Sequence, residues 1–417
     1  MRLELRWSSV TALGAGPATR LAAGRLEIDL AGLQEVLEAD PRLAHVRLDL
    51  ARPGDPCRIG RVFDVFAPRA KEDGDGPDFP GALGSLGRAG GGRTRALGGV
   101  AVVVTDQQLA DPATLALIDM SGPLAALTPF ARSHNVVISA WPAPAVGRPE
   151  YLAALRQAGL RAAVHLARAA RGAEPDQVEV FDLPAQTRAP AEAAGLPRVA
   201  YVFQIHSHQR PTAVDEGILY GDPVRRMLPT LVHPNEILDG AVIRGFMGRG
   251  VTTWATQNHP VIRELYARHG RSLWFAGAVL TVAHATEPER VRSAAMAAGL
   301  VVDVLGADGA VFTKIGGGAP HVDMAQTAAQ CEARGVKTVL IVEDMSTDGS
   351  EEGMLLFNFP GLDALVNVGG AQEKVTLPAV ARVIGADGPL AASTASYGQI
   401  GGAIEQVGAS RVTSRVQ

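Results

Sequence analysis

Three histidines and one glutamate stand where they could hold an ion or move a proton. His206 and His208 are one residue apart and follow an apolar strand pattern that ends at Gln204. Residues two apart in an extended chain face the same side, so both imidazoles can address one ion. Two imidazoles and a carboxylate make a zinc or iron site with an open position. Glu236, in His233-Pro234-Asn235-Glu236, supplies the carboxylate, and His259, directly before Pro260, is an alternative ligand. His206, His208 and Glu236 are therefore the candidate ligands of a divalent metal. Without a metal, His206, His208 or His259 would act as general base, oriented by Glu236 or Asp239. A His-x-His pair at a strand end also fits a plain polar rim.

A second group of residues could bind a substrate. Gly245-x-x-Gly248-x-Gly250 follows a strand pattern and carries Arg244 and Arg249. Glycines let backbone N–H groups approach an anion, and arginines complete a carboxylate or phosphate clamp. The spacing matches no established phosphate motif, so a tight turn beside exposed arginines is the competing reading. With Thr252, Gln257 and Asn258 these residues form the candidate substrate loop. Gly316-Gly317-Gly318 and Glu343-Asp344 also sit at strand ends, where turns and caps account for them. Cys57 enters a strand from a turn, and Cys331 falls inside a helical pattern; neither has an evident cationic activator, so both read as structural.

The elements that must position these groups follow from periodicity. Residues 1–97 hold short alternating strands, as in Arg2-Leu3-Glu4-Leu5 and Val46-Arg47-Leu48-Asp49-Leu50, and a Gly/Pro/Asp-rich loop from Lys71 to Gly92 suited to covering a site. From residue 98 to 270, continuous apolar runs such as Val100–Val104 and Val199–Phe203 read as buried strands, with an alanine-rich helix from Pro149 to Arg171. From 271 to 417, strands at Ala278–Val282, Ala310–Phe312 and Val339–Val342 alternate with helices at Glu287–Leu300 and Met324–Arg334. The expected fold is α/β: a β-rich N-terminal part followed by two α/β lobes, the C-terminal one doubly wound, with sites at strand carboxyl ends.

Composition excludes several function classes. The 417 residues carry 39 basic and 43 acidic side chains, a net charge of −4, which gives no electrostatic pull toward nucleic acid or an anionic membrane. Two cysteines exclude a disulfide scaffold and a cysteine-only zinc site, and they suit a reducing compartment. The first residues show no apolar leader pattern and no apolar run approaches a membrane span, so a cytoplasmic protein is expected.

Several strings, in shared order and spacing, resemble the proprotein subunit of component B of the glycine/sarcosine/betaine reductases. They include Met1-Arg2-Leu3-Glu4-Leu5, Ala51-Arg52-Pro53-Gly54, Phe79-Pro80-Gly81, Gly92-Arg93-Thr94 and Ile118-Asp119-Met120-Ser121-Gly122. Thr128-Pro129-Phe130, Leu228-Pro229-Thr230, Asp239-Gly240-Ala241, Gln257-Asn258 and Arg268-His269-Gly270 extend the match. The resemblance implies a larger partner subunit carrying a selenocysteine or cysteine, and self-cleavage that leaves a pyruvoyl group. That ketone would condense with a substrate amine while the partner's selenolate or thiolate attacks carbon. In the family an Asn-Cys pair follows the Asp-Gly-Ala strand. Here no serine or cysteine occurs between Asp239 and Pro260. Thr252 or Thr253 could give at most a 2-oxobutanoyl group.

Three functions follow as expectations. The first is a subunit of a reductase-like hetero-oligomer acting on a small nitrogen-containing substrate without a pyruvoyl group. The second is a free-standing metal-dependent lyase or hydrolase built on His206 and His208. The third is a non-catalytic scaffold for the larger subunit.

Overall fold

A computed structural model of the chain describes residues 1–108, 116–184, 195–205, 217–243, 251–316, 318–344, 362–386 and 394–408. His206, His208, Arg244, Gly245, Gly248, Arg249 and Gly250 lie outside the described residues. The chain is a mixed α/β protein with three principal sheets.

The first sheet has four strands in the order Gln177–Asp182, Arg2–Ser9, Gly92–Gly98, Arg69–Lys71. Alternation along Arg2–Ser9 puts Leu3 and Leu5 at 0% exposure while Arg2, Glu4 and Arg6 face the other side. The second sheet runs Ala116–Asp119, Cys57–Phe66, Val100–Asp106, His134–Pro142, Leu43–Ala51. Val102 and Val104 pack under the helix Arg148–Arg168, whereas Ala101 and Val103 face a second apolar cluster. Burial on both faces explains the uninterrupted valines. Gly159 of that helix lies against Phe66; a Cβ there would come within 2.2 Å of the ring.

The third sheet positions the site. Its order is Thr230–Val232, Trp274–Thr281, Arg198–Gln204, Gly309–Lys314, Lys337–Asp344, Leu365–Gly370. All neighbours are parallel except the Thr230–Val232 edge. Among the parallel strands the spatial order is second, first, third, fourth, fifth, so the winding reverses between Arg198–Gln204 and Gly309–Lys314. Ile262 and Leu265 of the helix Pro260–Arg268 cover one face together with Leu3 and Leu5. Helices Glu287–Gly299 and Ala319–Glu332 cover the other, through Ala297, Ala298, Met324, Ala328 and Cys331.

The expected boundaries near 97 and 270 both fall within sheets, because Cys57–Phe66 pairs with Val100–Asp106 and Trp274–Thr281 pairs with Arg198–Gln204. Local patterning reveals strands but not their partners. The helix expected to start at Met324 starts at Ala319, since Pro320 fits a first turn where its missing N–H costs nothing. Among the described residues no helix is long and apolar enough to cross a membrane.

Candidate functional site

The predicted residues that are described fall in several places, and one of them, Asp239, stands in a buried polar knot. Asp239 ends the short helix Pro234–Leu238 and receives three donors: Lys71 Nζ at 2.5 Å, Gly90 N–H at 2.7 Å and Thr94 Oγ1 at 2.7 Å. Lys71 also donates to the Gly91 carbonyl at 2.7 Å. Gly90 has φ +92° and an added Cβ would meet Glu236 N at 2.8 Å, so this approach requires glycine. The Lys71–Gly92 loop is thereby held against the 217–240 segment.

Glu236 completes a capping box. Its Oε1 accepts from His233 N at 3.0 Å while the His233 side chain accepts from Asn235 N. The same carboxylate takes Arg88 at 3.1 Å and Tyr220 Oη at 2.6 Å. Burial pulls His233 down to about 4, so its ring stays neutral and can accept.

Gln257 and Asn258 grip backbone and a buried arginine. Gln257 Oε1 accepts from Ala67 N at 2.9 Å, and its Nε2 donates to Ala67 O at 3.3 Å. Asn258 Oδ1 accepts from Arg69 at 2.7 Å; Arg69 also donates to Leu238 O at 2.6 Å and lies 5.4 Å from the Trp7 ring. Thr252 caps the short helix Thr253–Gln257 and donates to Glu405 at 3.1 Å, while Thr253 donates to Asp64 at 2.6 Å. His259 is fully buried, with Nε2 2.8 Å from Tyr201 Oη and its ring edge-on to Tyr201 and Phe203. Burial alone lowers it to about 3, so it is a neutral core histidine across ordinary pH. The contacts of His259 and of Glu236 have no residue in common.

Among the described residues, no group of three or more His, Cys, Asp and Glu side chains is placed to hold a metal. Of the predicted ligands that are described, Glu236 spends its oxygens on Arg88, Tyr220 and the His233 cap, and His259 is in the apolar core against Tyr201 and Phe203. Cys57 and Cys331 are buried free thiols, and burial raises Cys331 to about 12, which removes it as a nucleophile.

Sequence reasoning passed over a second cluster at the carboxyl edge of the parallel sheet. Gln204 and Lys314 end adjacent central strands and are register partners. Lys314 is 0% exposed, and burial lowers its amine from 10.5 to about 8, with Glu343 opposing. Its Nζ donates to Gly316 O at 2.6 Å. Gly316 N in turn donates to Gln406 Oε1 at 2.6 Å, and Gln406 Nε2 donates to Glu343. On the first turn of the helix Ala319–Glu332, His321 is fully buried and both ring nitrogens lack a partner. Burial, then the nearby Lys314 charge, holds His321 far below its ordinary pKa. Gln204 Oε1 is likewise unpartnered. Burial lifts Asp323 to about 7; its Oδ2 accepts from His284 N at 2.6 Å, and its Oδ1 lacks a hydrogen-bond donor. The available signal was a lysine at a strand end two residues before a glycine run, in a chain with four lysines among 39 basic residues.

An open sheet, parallel but for one edge strand, with helices on both faces and buried unpartnered polar groups at its carboxyl edge, makes this a mixed α/β protein. The chain belongs to the family of glycine/sarcosine/betaine reductase component B subunits, whose family model matches residues 1–415. It is 32% identical to the glycine reductase complex component B subunits alpha and beta of Acetoanaerobium sticklandii, over 92% of this chain and 89% of that protein. It is 33% identical to the sarcosine reductase complex component B subunit alpha of Peptoclostridium acidaminophilum, over 92% and 89% of the two chains. The betaine reductase complex component B subunit alpha of the same organism is 32% identical, over 92% and 88%. No solved structure matches the chain.

Proposed function

We propose that the chain is a subunit of a reductase-like complex that acts on a small nitrogen-containing substrate and forms no pyruvoyl group. The family and its relatives, named for reductase complexes on glycine, sarcosine and betaine, support the complex and the substrate class. One observation carries the second half: no serine or cysteine lies between Asp239 and Pro260. A pyruvoyl group requires a β-hydroxyl or β-thiol that attacks its own upstream carbonyl and then leaves by elimination. The described hydroxyls in that stretch are committed elsewhere. Thr252 serves its cap and Glu405, Thr253 serves Asp64, and Thr256 donates to Thr252 O at 3.3 Å. In this reading a larger partner supplies the nucleophilic thiolate or selenolate, because both cysteines here are buried.

The test is the intact mass of the chain purified with whatever subunits accompany it. One species at full-length mass is expected. Two fragments, the second with a carbonyl-blocked amino terminus, would overturn the proposal.

A further inference from the structure

Lys314 is the one described lysine whose surroundings neither expose it nor pair it. Lys337 is 82% exposed, Lys374 is exposed, and Lys71 is buried but sits 2.5 Å from Asp239. Lys314 is completely buried, with a single hydrogen bond, to the Gly316 carbonyl. An ammonium offers three N–H donors, so two find no acceptor among the described residues. Burial loosens this amine's hold on its proton, so at neutral pH a minor fraction is neutral and carries a nucleophilic lone pair.

The remaining groups decide what that amine can meet. Gln204 Oε1, across the strand pair from Lys314, is a free acceptor. Neutral His321, with both nitrogens unpartnered, offers one acceptor and one donor. The Glu343 charge acts on Lys314 as well. Acceptors and a carboxylate so close oppose a bound anion. They suit the hydroxyl that appears when an amine adds to an uncharged carbonyl. Lysine fits this role and arginine does not, since a guanidinium cannot give up its proton; 35 of the 39 basic residues here are arginine. The Gly316 carbonyl that aims the amine is fixed from its own N–H by Gln406.

We propose that Lys314 is an imine-forming residue that takes a small uncharged aldehyde or ketone at the carboxyl edge of the parallel sheet. The amine nitrogen bonds to the carbonyl carbon. Both amine hydrogens leave with the carbonyl oxygen as water, and the step is redox-neutral. Gln204 accepts from the carbinolamine hydroxyl, and His321 relays the proton that turns this hydroxyl into water. The inference stands apart from the pyruvoyl question and from the identity of any partner subunit.

The experiment treats the full chain, with the subunits that accompany it, with acetaldehyde and then borohydride, which reduces an imine to a stable ethylamine. Peptide mass mapping locates the ethyl group. At neutral pH, labelling of Lys314 is expected to exceed that of exposed Lys337 and Lys374 by tenfold or more, because an amine at about 8 holds roughly 300 times the neutral fraction of one at the ordinary 10.5. Glyoxylate, which carries a negative charge, is expected to label Lys314 less well than acetaldehyde. Gln204→Leu should slow labelling at Lys314 by about tenfold and leave Lys337 unchanged. Labelling confined to Lys337 and Lys374 in the native protein, with Lys314 reacting after unfolding in urea, would overturn the proposal whether or not the variant folds.

Discussion

Lys71 and Lys314 are both buried lysines, 6% exposed in the side chain and 0% respectively, and they differ in everything around them. Lys71 meets a carboxylate that is itself saturated by Gly90 and Thr94. Such a knot fixes one arrangement of the Lys71–Gly92 loop, with most of its polar capacity spent inside the protein. Lys314 ends a central strand with one acceptor, beside a glutamine whose Oε1 and a histidine whose two ring nitrogens are unspent. Saturation marks a structural device, and unspent buried polarity marks a place built for something else.

The largest test of this contrast removes the Lys71 partner. Asp239→Ala leaves a buried ammonium and two further donors unpaired, and should cost roughly 3–5 kcal/mol. Urea unfolding measures it. A loss under about 1 kcal/mol would mean the knot is wet and the comparison fails.

Next in size is a pH dependence at Lys314. Its folded value of about 8 lies below the ordinary 10.5. Below pH 8 both states are protonated and the burial penalty is complete. Between 8 and 10.5 the unfolded chain holds a proton that the folded chain lacks, so stability rises with pH by up to about 3 kcal/mol. Lys314→Met should abolish this rise, seen as a wild-type minus variant difference that grows across the window. A flat difference would show that Lys314 is as well paired as Lys71.

Gln257→Ala should cost roughly 1–3 kcal/mol, because it strands the buried Ala67 N–H and C=O. Hydrogen exchange at Ala67 would show the loosened strand end directly, and unchanged protection would place the grip elsewhere. Smallest is Thr252→Ala, about 1 kcal/mol for a lost cap. Because Glu405 precedes Gln406, a shift of the Gly316 amide resonance in this variant would reveal coupling between the two regions; its absence would separate them.

Much of the architecture was legible in the residues. The Val100–Val104 and Val199–Phe203 runs, the Arg2–Leu5 alternation and the alanine-rich helix all appear where periodicity put them. The partners of the candidate site residues were not legible: Gln257, Asn258 and Glu236 are tied to Ala67, Arg69 and Arg88, far away in sequence. Lys314 gave a faint signal, because a lysine beside glycines is an ordinary turn until its burial is known.

By itself the sequence determined the kinds and sites of the local elements, the family resemblance, and the lack of any serine or cysteine between Asp239 and Pro260. Each of these depends on neighbours in the chain or on side-chain chemistry alone. Tertiary structure decided which sheet each strand joined, which lysine was neutralised and which was left bare. Those outcomes rest on desolvation and on contacts between residues as distant as Lys71 and Asp239, or Gly316 and Gln406, and no local pattern encodes them.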